Sequence, residues 1–265
     1  MSLDPSWRYM SEGSRYLSTI LVREAVDTGP FSPVRLVQAT LLPILRAWGG
    51  NVLLDVHPSG SFMKGTAVLS GTDIDLFISI SENCPDSLGE LYEKLFRRMT
   101  EEGYSPKRQN VSINVKVGSY SVDLVPAKRQ NFGSSDHSLW RRRGQTWTKT
   151  NVVTHISHVL AAGRQQETRV IKLWRNQKNL DFPSFYLELA VIQALAGWSS
   201  VSSSLESRVQ RVFDYLRDTF PTARFVDPAN TNNVVSDDLT AAQKQVISSA
   251  AGAARSAPYW EHIVR

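Results

Sequence analysis

Cysteine is all but missing from this chain. Cys84 is its single copy, so no internal disulfide can form and no cluster of cysteines and histidines has zinc spacing. No apolar run approaches the ~20 residues that cross a bilayer. The first residues, MSLDPSWRYMSEGSR, are polar and lack the apolar stretch a signal peptide needs. A cytoplasmic protein with no membrane partner is expected. Internal repeats and low-complexity segments are absent as well. With 42% hydrophobic and 21% charged residues among 265, a disordered tail, a collagen-like rod and a coiled coil are excluded. Acidic residues are the minority charge, 25 against 30 Lys and Arg, a formal net charge of +5. That balance favours polyanionic partners such as nucleotides or nucleic acid.

What is present reads as a strand-rich block framed by helices. Arg15–Val26 and Pro33–Trp48 carry apolar residues at helical spacing, the second closed by Gly49 and Gly50. Asn51–His57 is a short apolar run stopped by Pro58, and Asp73–Ile80 (DIDLFISI) opens with strict alternation; both predict strands. Ser87–Glu102 is an amphipathic helix ending at Gly103. Val111–Val117 and Tyr120–Pro126 alternate on either side of Gly118-Ser119, a hairpin signal. Lys128–Thr150 is polar, basic and weakly periodic, and reads as a linker. Helical patterns follow over Val152–Ala162, Glu167–Lys178, Pro183–Trp198, Leu205–Phe220 and about Thr240–Arg255, the last two separated by a loop with Asp227-Pro228 and Asn232-Asn233. The expected architecture is α+β: a sheet lobe with N-terminal helices over residues 1–127, a basic linker over 128–150 facing a cleft, and a helical lobe over 151–265.

The chemistry concentrates in Gly60–Phe77, GSFMKGTAVLSGTDIDLF. Residues two apart on a strand project from one face, so Asp73 and Asp75 present their carboxylates together while Leu76, Ile78 and Ile80 anchor the strand. Paired carboxylates repel unless a cation sits between them, and hard oxygens suit Mg²⁺ or Mn²⁺. Upstream, Gly60-Ser61 follows a strand and precedes Lys64, Gly65 and Thr66. Glycines allow close backbone approach, and exposed N–H groups with Ser and Thr hydroxyls can hold phosphate oxygens. The order GxxxxGK[ST] is missing, so this is not a P-loop. Asp123 lies in the apolar strand YSVDLVPA and needs a partner for its charge. Three carboxylates on adjacent strands can hold two Mg²⁺ ions ~4 Å apart, one beside an attacking hydroxyl and one on a triphosphate.

Gly-Ser, Gly-Thr, Asp-x-Asp and a later strand Asp form a pattern that resembles the polymerase-β-like nucleotidyltransferase superfamily. VDLVPA is similar to the third-carboxylate strand of oligoadenylate synthetases, bacterial cyclic-oligonucleotide synthases and archaeal-type CCA-adding enzymes. TWTKTNVVTH, residues 146–155, resembles the segment entering the helical lobe of the bacterial synthases. RVIKLWRNQKNLDFPSFYLELAVIQAL looks like their lysine helix and the helix whose start contacts the nucleotide, and RFVDPANTNNV like the DPA-x-x-x-N element of oligoadenylate-synthetase-type cores. The resemblance covers about Gly60 to Asn233. It implies Asp73, Asp75 and Asp123 as metal ligands and catalytic acids, with Asp123 nearest the attacking hydroxyl, and two Mg²⁺ ions for which Mn²⁺ can substitute. It also implies Gly60, Ser61, Lys64 and Thr66 at the nucleotide, Lys172 on the triphosphate, and Ser184 with Tyr186 holding phosphate or stacking on the base. Glu188 falls on a family glutamate but reads as a structural helix residue. Arg141, Arg142 and Arg143, flanked by Trp140 and Trp147, read either as a solvated loop or as a contact for RNA or an oligonucleotide product. His155 and His158, three apart on a helix without a third ligand, read as polar helix positions.

The implied reaction is attack of a hydroxyl on the α-phosphate of a nucleoside triphosphate, ATP first, with loss of pyrophosphate. The hydroxyl belongs either to another nucleotide, giving a short or cyclic oligonucleotide signal, or to the 3′ end of an RNA, as in CCA addition. The DPA-x-x-x-N element and TWTKTN favour the signal. A protein acceptor suits shorter relatives, and a non-enzymatic relic would have lost a carboxylate or the Gly-Ser turn.

Overall fold

The computed structural model describes residues 10–71, 73–199 and 202–265. The polar start, residues 1–9, and Thr72 of the Gly71-Thr72-Asp73 stretch lie outside them. The chain runs α1 (Glu12–Arg23), α2 (Pro33–Gly49), β1 (Leu53–Pro58), the single turn α3 (Gly60–Met63), β2 (Ile74–Ile80), α4 (Leu88–Glu101), β3 (Lys107–Arg108), β4 (Ile113–Val117) and β5 (Tyr120–Arg129). It continues with β6 (His137–Arg141), β7 (Thr146–Thr150), α5 (Val152–Ala162), α6 (Gln165–Gln177), α7 (Ser184–Ala194), α8 (Leu205–Asp218), a small hairpin of β8 (Val226–Asp227) and β9 (Asn230–Val234), and α9 (Ala241–Ser256). No described helix is long and apolar enough to cross a membrane.

Among the described residues one mixed sheet has the order β1-β2-β5-β4-β3, with β6 on the C-terminal part of β5 and β7 on β6. β2 and β5 are parallel neighbours, and the register sets Asp75 opposite Asp123. Alternation decides which way these residues point. Ile74, Leu76, Ile78 and Ile80 of β2 and Val122 and Leu124 of β5 are buried in one core with Leu41 and Leu45 of α2 and Leu91, Leu95 and Met99 of α4. The intervening Asp75 and Asp123 must then emerge on the opposite face, towards the helical lobe.

Two expectations about organisation are corrected. Lys128–Thr150 is not a linker: it completes β5 and supplies β6 and β7, with His137 and Leu139 buried and Trp140 paired with Trp147 across the ladder. Its sequence is weakly patterned because pairing to β5, a tertiary contact, is what orders it. The N-terminal helix does not belong to the sheet lobe. Leu17, Ile20 and Leu21 of α1 are buried with Trp174, Tyr186, Phe213 and Phe220 in the helical-lobe core. Arg169 fastens α1 there by donating to the Leu21 carbonyl at 2.6 Å.

Candidate active site

The turn after β1 is tied to β2 through Ser59, whose N–H donates to the Asp75 carbonyl at 2.8 Å and whose Oγ donates to the same oxygen at 3.5 Å. Gly60 follows with φ +56°, a left-handed conformation that favours glycine. A Cβ there would come within 1.7 Å of Asp75 Oδ2, so the missing side chain makes the room into which the carboxylate projects. Gly60, Ser61, Asp73, Asp75 and Asp123 line one cavity of about 390 Å³ between the lobes. Its other wall holds Lys64, Thr66, Lys172, Arg175, Ser184, Phe185 and Glu188.

The acids are electrostatically unequal. Burial pushes the Asp75 pKa up to about 6, helped by Asp123 opposite and by Asp73, against opposition from Lys64 and Lys172. Burial also raises Asp123, while the amide of Asn114, donating to Oδ1 at 2.7 Å, works the other way. Gln109 Nε2 donates to the same oxygen at 3.1 Å. Asp73 stands exposed just before β2.

Opposite the acids lies a buried ionic knot that spans the lobes. Glu188 of α7, fully buried, accepts from Lys64 Nζ at 2.8 Å through Oε2, and from Lys172 Nζ at 2.8 Å and Thr66 Oγ1 at 2.6 Å through Oε1. Lys172 also donates to Thr66 Oγ1 at 3.0 Å. Burial disfavours the Glu188 anion, but Lys172 and Lys64 outweigh it and hold its pKa down at about 2. Burial lowers Lys172, and Glu188 counters that loss. Lys64 further lies over the Phe185 ring, 4.8 Å from its centroid. Arg175 donates to Ser184 Oγ at 2.9 Å, which fixes the start of α7 against α6.

The carboxylates are the donor set a hard divalent cation takes, oxygen without nitrogen or sulfur. The raised pKa values of Asp75 and Asp123 mark these two as crowded negative groups short of compensating charge. Among the described residues no three acidic, histidine or cysteine side chains are gathered closely enough to enclose an ion. Asp75 and Asp123 are already opposed across the ladder, and Asp73 would have to turn in to join them.

Gly60, Ser61, Lys64, Thr66, Asp73, Asp75, Asp123, Lys172 and Ser184 thus share one cavity. Tyr186 does not. It is fully buried in the helical-lobe core, its ring 5.4 Å from Phe182, 5.0 Å from Phe220 and 5.1 Å from Phe225, and it neither holds phosphate nor stacks on a base. Its neighbour Phe185 faces the cavity instead. α7 is apolar all round, so periodicity could not tell the two apart. Arg141–Arg143 lie outside this cavity, at the β6–β7 turn. Sequence reasoning missed Arg175, which sits three residues beyond Lys172 on the same helix face and was legible on that ground. Gln109 and Asn114 left no signal, and Glu188, weighed as structural, is the centre of the knot. His155, expected as a plain polar position, bonds Asp227 Oδ1 through Nε2 at 2.7 Å and stacks near Phe185, ring centroids 4.5 Å apart. Asp227 also accepts from Ala229 N–H and Asn233 Nδ2, so the Asp-Pro-Ala element fastens α5 to the β8–β9 hairpin.

No family model matches the chain. The Escherichia coli cyclic AMP-AMP-AMP synthase is 25% identical over 233 residues, 73% of this chain and 72% of that protein. The solved structure of Escherichia coli CdnC with ATP superposes with a TM-score of 0.76 at 22% identity, covering 95% of this chain and 97% of that one. A poly(U) polymerase bound to MgATP superposes with a TM-score of 0.69 at 14% identity, covering 96% and 98%.

Proposed function

We propose that the protein, whose fold is that of the polymerase-β-like nucleotidyltransferases, is a nucleotidyltransferase in the branch of the bacterial cyclic-oligonucleotide synthases and joins nucleoside triphosphates, ATP first among them, into a short or cyclic oligonucleotide signal. One observation carries this: three carboxylates and the cations Lys64, Lys172 and Arg175 face each other across a single interlobe cavity. Acids on one side and phosphate-seeking groups on the other are what a nucleotide needs when it is cut at its α-phosphate.

In this reaction a ribose hydroxyl oxygen bonds the α-phosphorus, and the bond to the β-phosphate oxygen breaks. The electron pair leaves with pyrophosphate, and the hydroxyl proton passes to a carboxylate. Asp123 is the residue for that proton. It is raised by burial yet still anchored by two amides, so it can accept without swinging away. Ser61 and Lys64 on the turn after β1, and Lys172 and Arg175 on α6, bind the triphosphate. Glu188 counters the effect of burial on Lys172 and, lying between the two lysines, offsets their mutual repulsion. Phe185 offers a ring at the cavity edge for a base. Asp73, Asp75 and Asp123 would hold Mg²⁺, in the expected pair of ions or with Mn²⁺ in its place. Bound there, it supplies Lewis-acid charge neutralisation on the phosphates and at the attacking oxygen. The similarity of the chain to a cyclic AMP-AMP-AMP synthase supports a nucleotide as the acceptor.

Nucleotide addition to an RNA 3′ end is the second reaction this cavity fits, and the structural likeness to a poly(U) polymerase favours it. Thin-layer chromatography separates the two. α-Labelled nucleoside triphosphates are incubated with the protein and Mg²⁺ or Mn²⁺, with and without bulk RNA, beside an Asp73→Asn, Asp75→Asn variant. Phosphatase-resistant small products without RNA, absent in the variant, are expected. Label found only on RNA would replace the proposal with terminal transfer.

A further inference from the structure

The loop before β4 grips the catalytic carboxylate on one side and the arginine turn on the other. Gln109 donates through Nε2 to Asp123 Oδ1 at 3.1 Å, and its Oε1 accepts from Ser112 Oγ at 3.0 Å, which sets the amide's orientation. The backbone carbonyl of the same residue accepts from Tyr92 Oη at 2.8 Å and from Arg142 Nε at 3.4 Å. Asn110 then holds the turn itself. Its carbonyl accepts from Arg142 N–H at 2.8 Å and its Oδ1 from Arg143 N–H at 3.1 Å. One residue, Gln109, therefore separates the Arg142 guanidinium from the carboxylate that takes the acceptor's proton.

The turn has the chemistry of a phosphate site. Arg142 and Arg143 are exposed and lie side by side, and guanidinium groups bind phosphate oxygens in pairs. Trp147, 56% exposed, lies on the strand leaving the turn and offers a stacking face. Asn230 of the β8–β9 hairpin donates through Nδ2 to the Lys149 carbonyl at 3.2 Å on the strand leaving the turn, so this edge of the sheet borders the helical lobe. The donor's phosphates have their own cations, Lys64, Lys172 and Arg175, in the cavity on the other side of the acids. A nucleotide whose ribose hydroxyl lies at Asp123 carries 5′ phosphates that must extend away from the donor's.

We infer that Arg142 and Arg143 bind the 5′ phosphates of the acceptor nucleotide, and that Gln109 is the positioning residue that aligns Asp123 with the acceptor so held. This rests on the oligonucleotide synthesis proposed above. It gives the arginine run a task within the reaction instead of a general affinity for RNA, and it makes acceptor choice depend on a phosphate chain.

A donor that cannot serve as acceptor isolates the effect. α-Labelled 2′,3′-dideoxy-ATP is supplied as donor to the full chain, with ATP, AMP, adenosine or an RNA oligonucleotide as acceptor. The wild type is expected to use ATP over adenosine by about tenfold or more. Arg142→Ala with Arg143→Ala, which leaves both backbone anchors to Asn110 intact, is expected to bring that ratio close to one with the donor KM unchanged. Gln109→Ala is expected to lower kcat per folded molecule, the folded fraction being fixed by a thermal melt beside the assay, with both KM values unchanged. A wild-type enzyme that uses adenosine as readily as ATP overturns the inference, as does a double variant that keeps the wild-type ratio. A variant that loses labelling of RNA alone assigns the turn to RNA and overturns it too. If the wild type labels no nucleotide acceptor, the proposed synthesis itself fails; if it labels them without regard to their phosphates, only this inference does.

Discussion

Gly60 and Asp75 occupy the same space by turns of chemistry: a Cβ on the glycine would lie 1.7 Å from Oδ2 of the aspartate. The carboxylate reaches the cavity because the residue beside it has no side chain and adopts φ +56°. Gly60→Ala must move Asp75 or unwind the turn that carries Ser61. Activity is expected to fall by about 100-fold or more, since displacement of a reacting group by ~1 Å has that effect. The variant should remain folded, as Phe62 and Met63 of that turn are a small part of the sheet-lobe core; steady-state rates beside a thermal melt decide this.

Asp75 is expected to trade stability for function. Its pKa is raised from the ordinary carboxylate value to about 6, so in the metal-free protein its contribution to stability is fully present below the unfolded value and is lost as pH rises through about 6. Asp75→Asn removes that burden. Above pH 6 the variant should be more stable than wild type by roughly 2 kcal/mol in the absence of divalent cations, and inactive. Melts with and without Mg²⁺ check it: Mg²⁺ should stabilise the wild type and not the variant. Equal melting temperatures at pH 8 without metal would contradict the assignment.

Glu188 holds two lysines, and its removal leaves both without a counter-ion. Glu188→Gln is expected to destabilise the protein by about 3–5 kcal/mol, the usual effect of orphaning one side of a buried pair. Because Lys64 and Thr66 come from one lobe and Lys172 and Glu188 from the other, the loss should also loosen the cleft. Hydrogen exchange at the 64–66 segment and along α6 should rise together. Exchange confined to one lobe would show that the knot does not join them.

Tyr186 has a buried hydroxyl without a hydrogen-bond partner among the described residues. Burial raises its pKa well above the ordinary phenol value. Tyr186→Phe is therefore expected to leave activity unchanged and to stabilise the fold by about 1 kcal/mol, because an unpaired polar group goes and the ring stays. Phe185→Ala, on the cavity side, should instead raise the KM for the nucleotide. A Tyr186→Phe variant with weakened nucleotide binding would return that tyrosine to the site.

Asp227 is the hub between His155, Ala229 and Asn233. Its pKa is held below the ordinary value by the His155 and Asn233 bonds despite burial, so its contribution to stability is present above the unfolded value and lost as pH falls through the folded one. Asp227→Ala is expected to cost about 2 kcal/mol at neutral pH and to make stability less dependent on acid. Urea melts at pH 7 and at about pH 3 test this, the gap between variant and wild type narrowing at the lower pH.

The carboxylates were legible because strand alternation is local. Ile74, Leu76, Ile78 and Ile80 must face a core, so Asp75 cannot, and the same holds for Asp123 between Val122 and Leu124. Gly60 was legible for a related reason, since a tight approach to a strand leaves little choice of residue. What the chain could not announce were meetings across distance. Lys64 finds Glu188 from 124 positions away, and Gln109 reaches Asp123 because β3 and β4 fold back beside β5. Arg141–Arg143 read as a linker until β6 and β7 paired onto the sheet. The rotation of α7, apolar on every side, was settled by the rings packed around Tyr186, so Phe185 rather than Tyr186 lines the cavity. Periodicity along one element decides which residues turn inward together. Only packing between elements decides which of them meet, because loop closure and helix rotation are set by the whole core and by no segment alone.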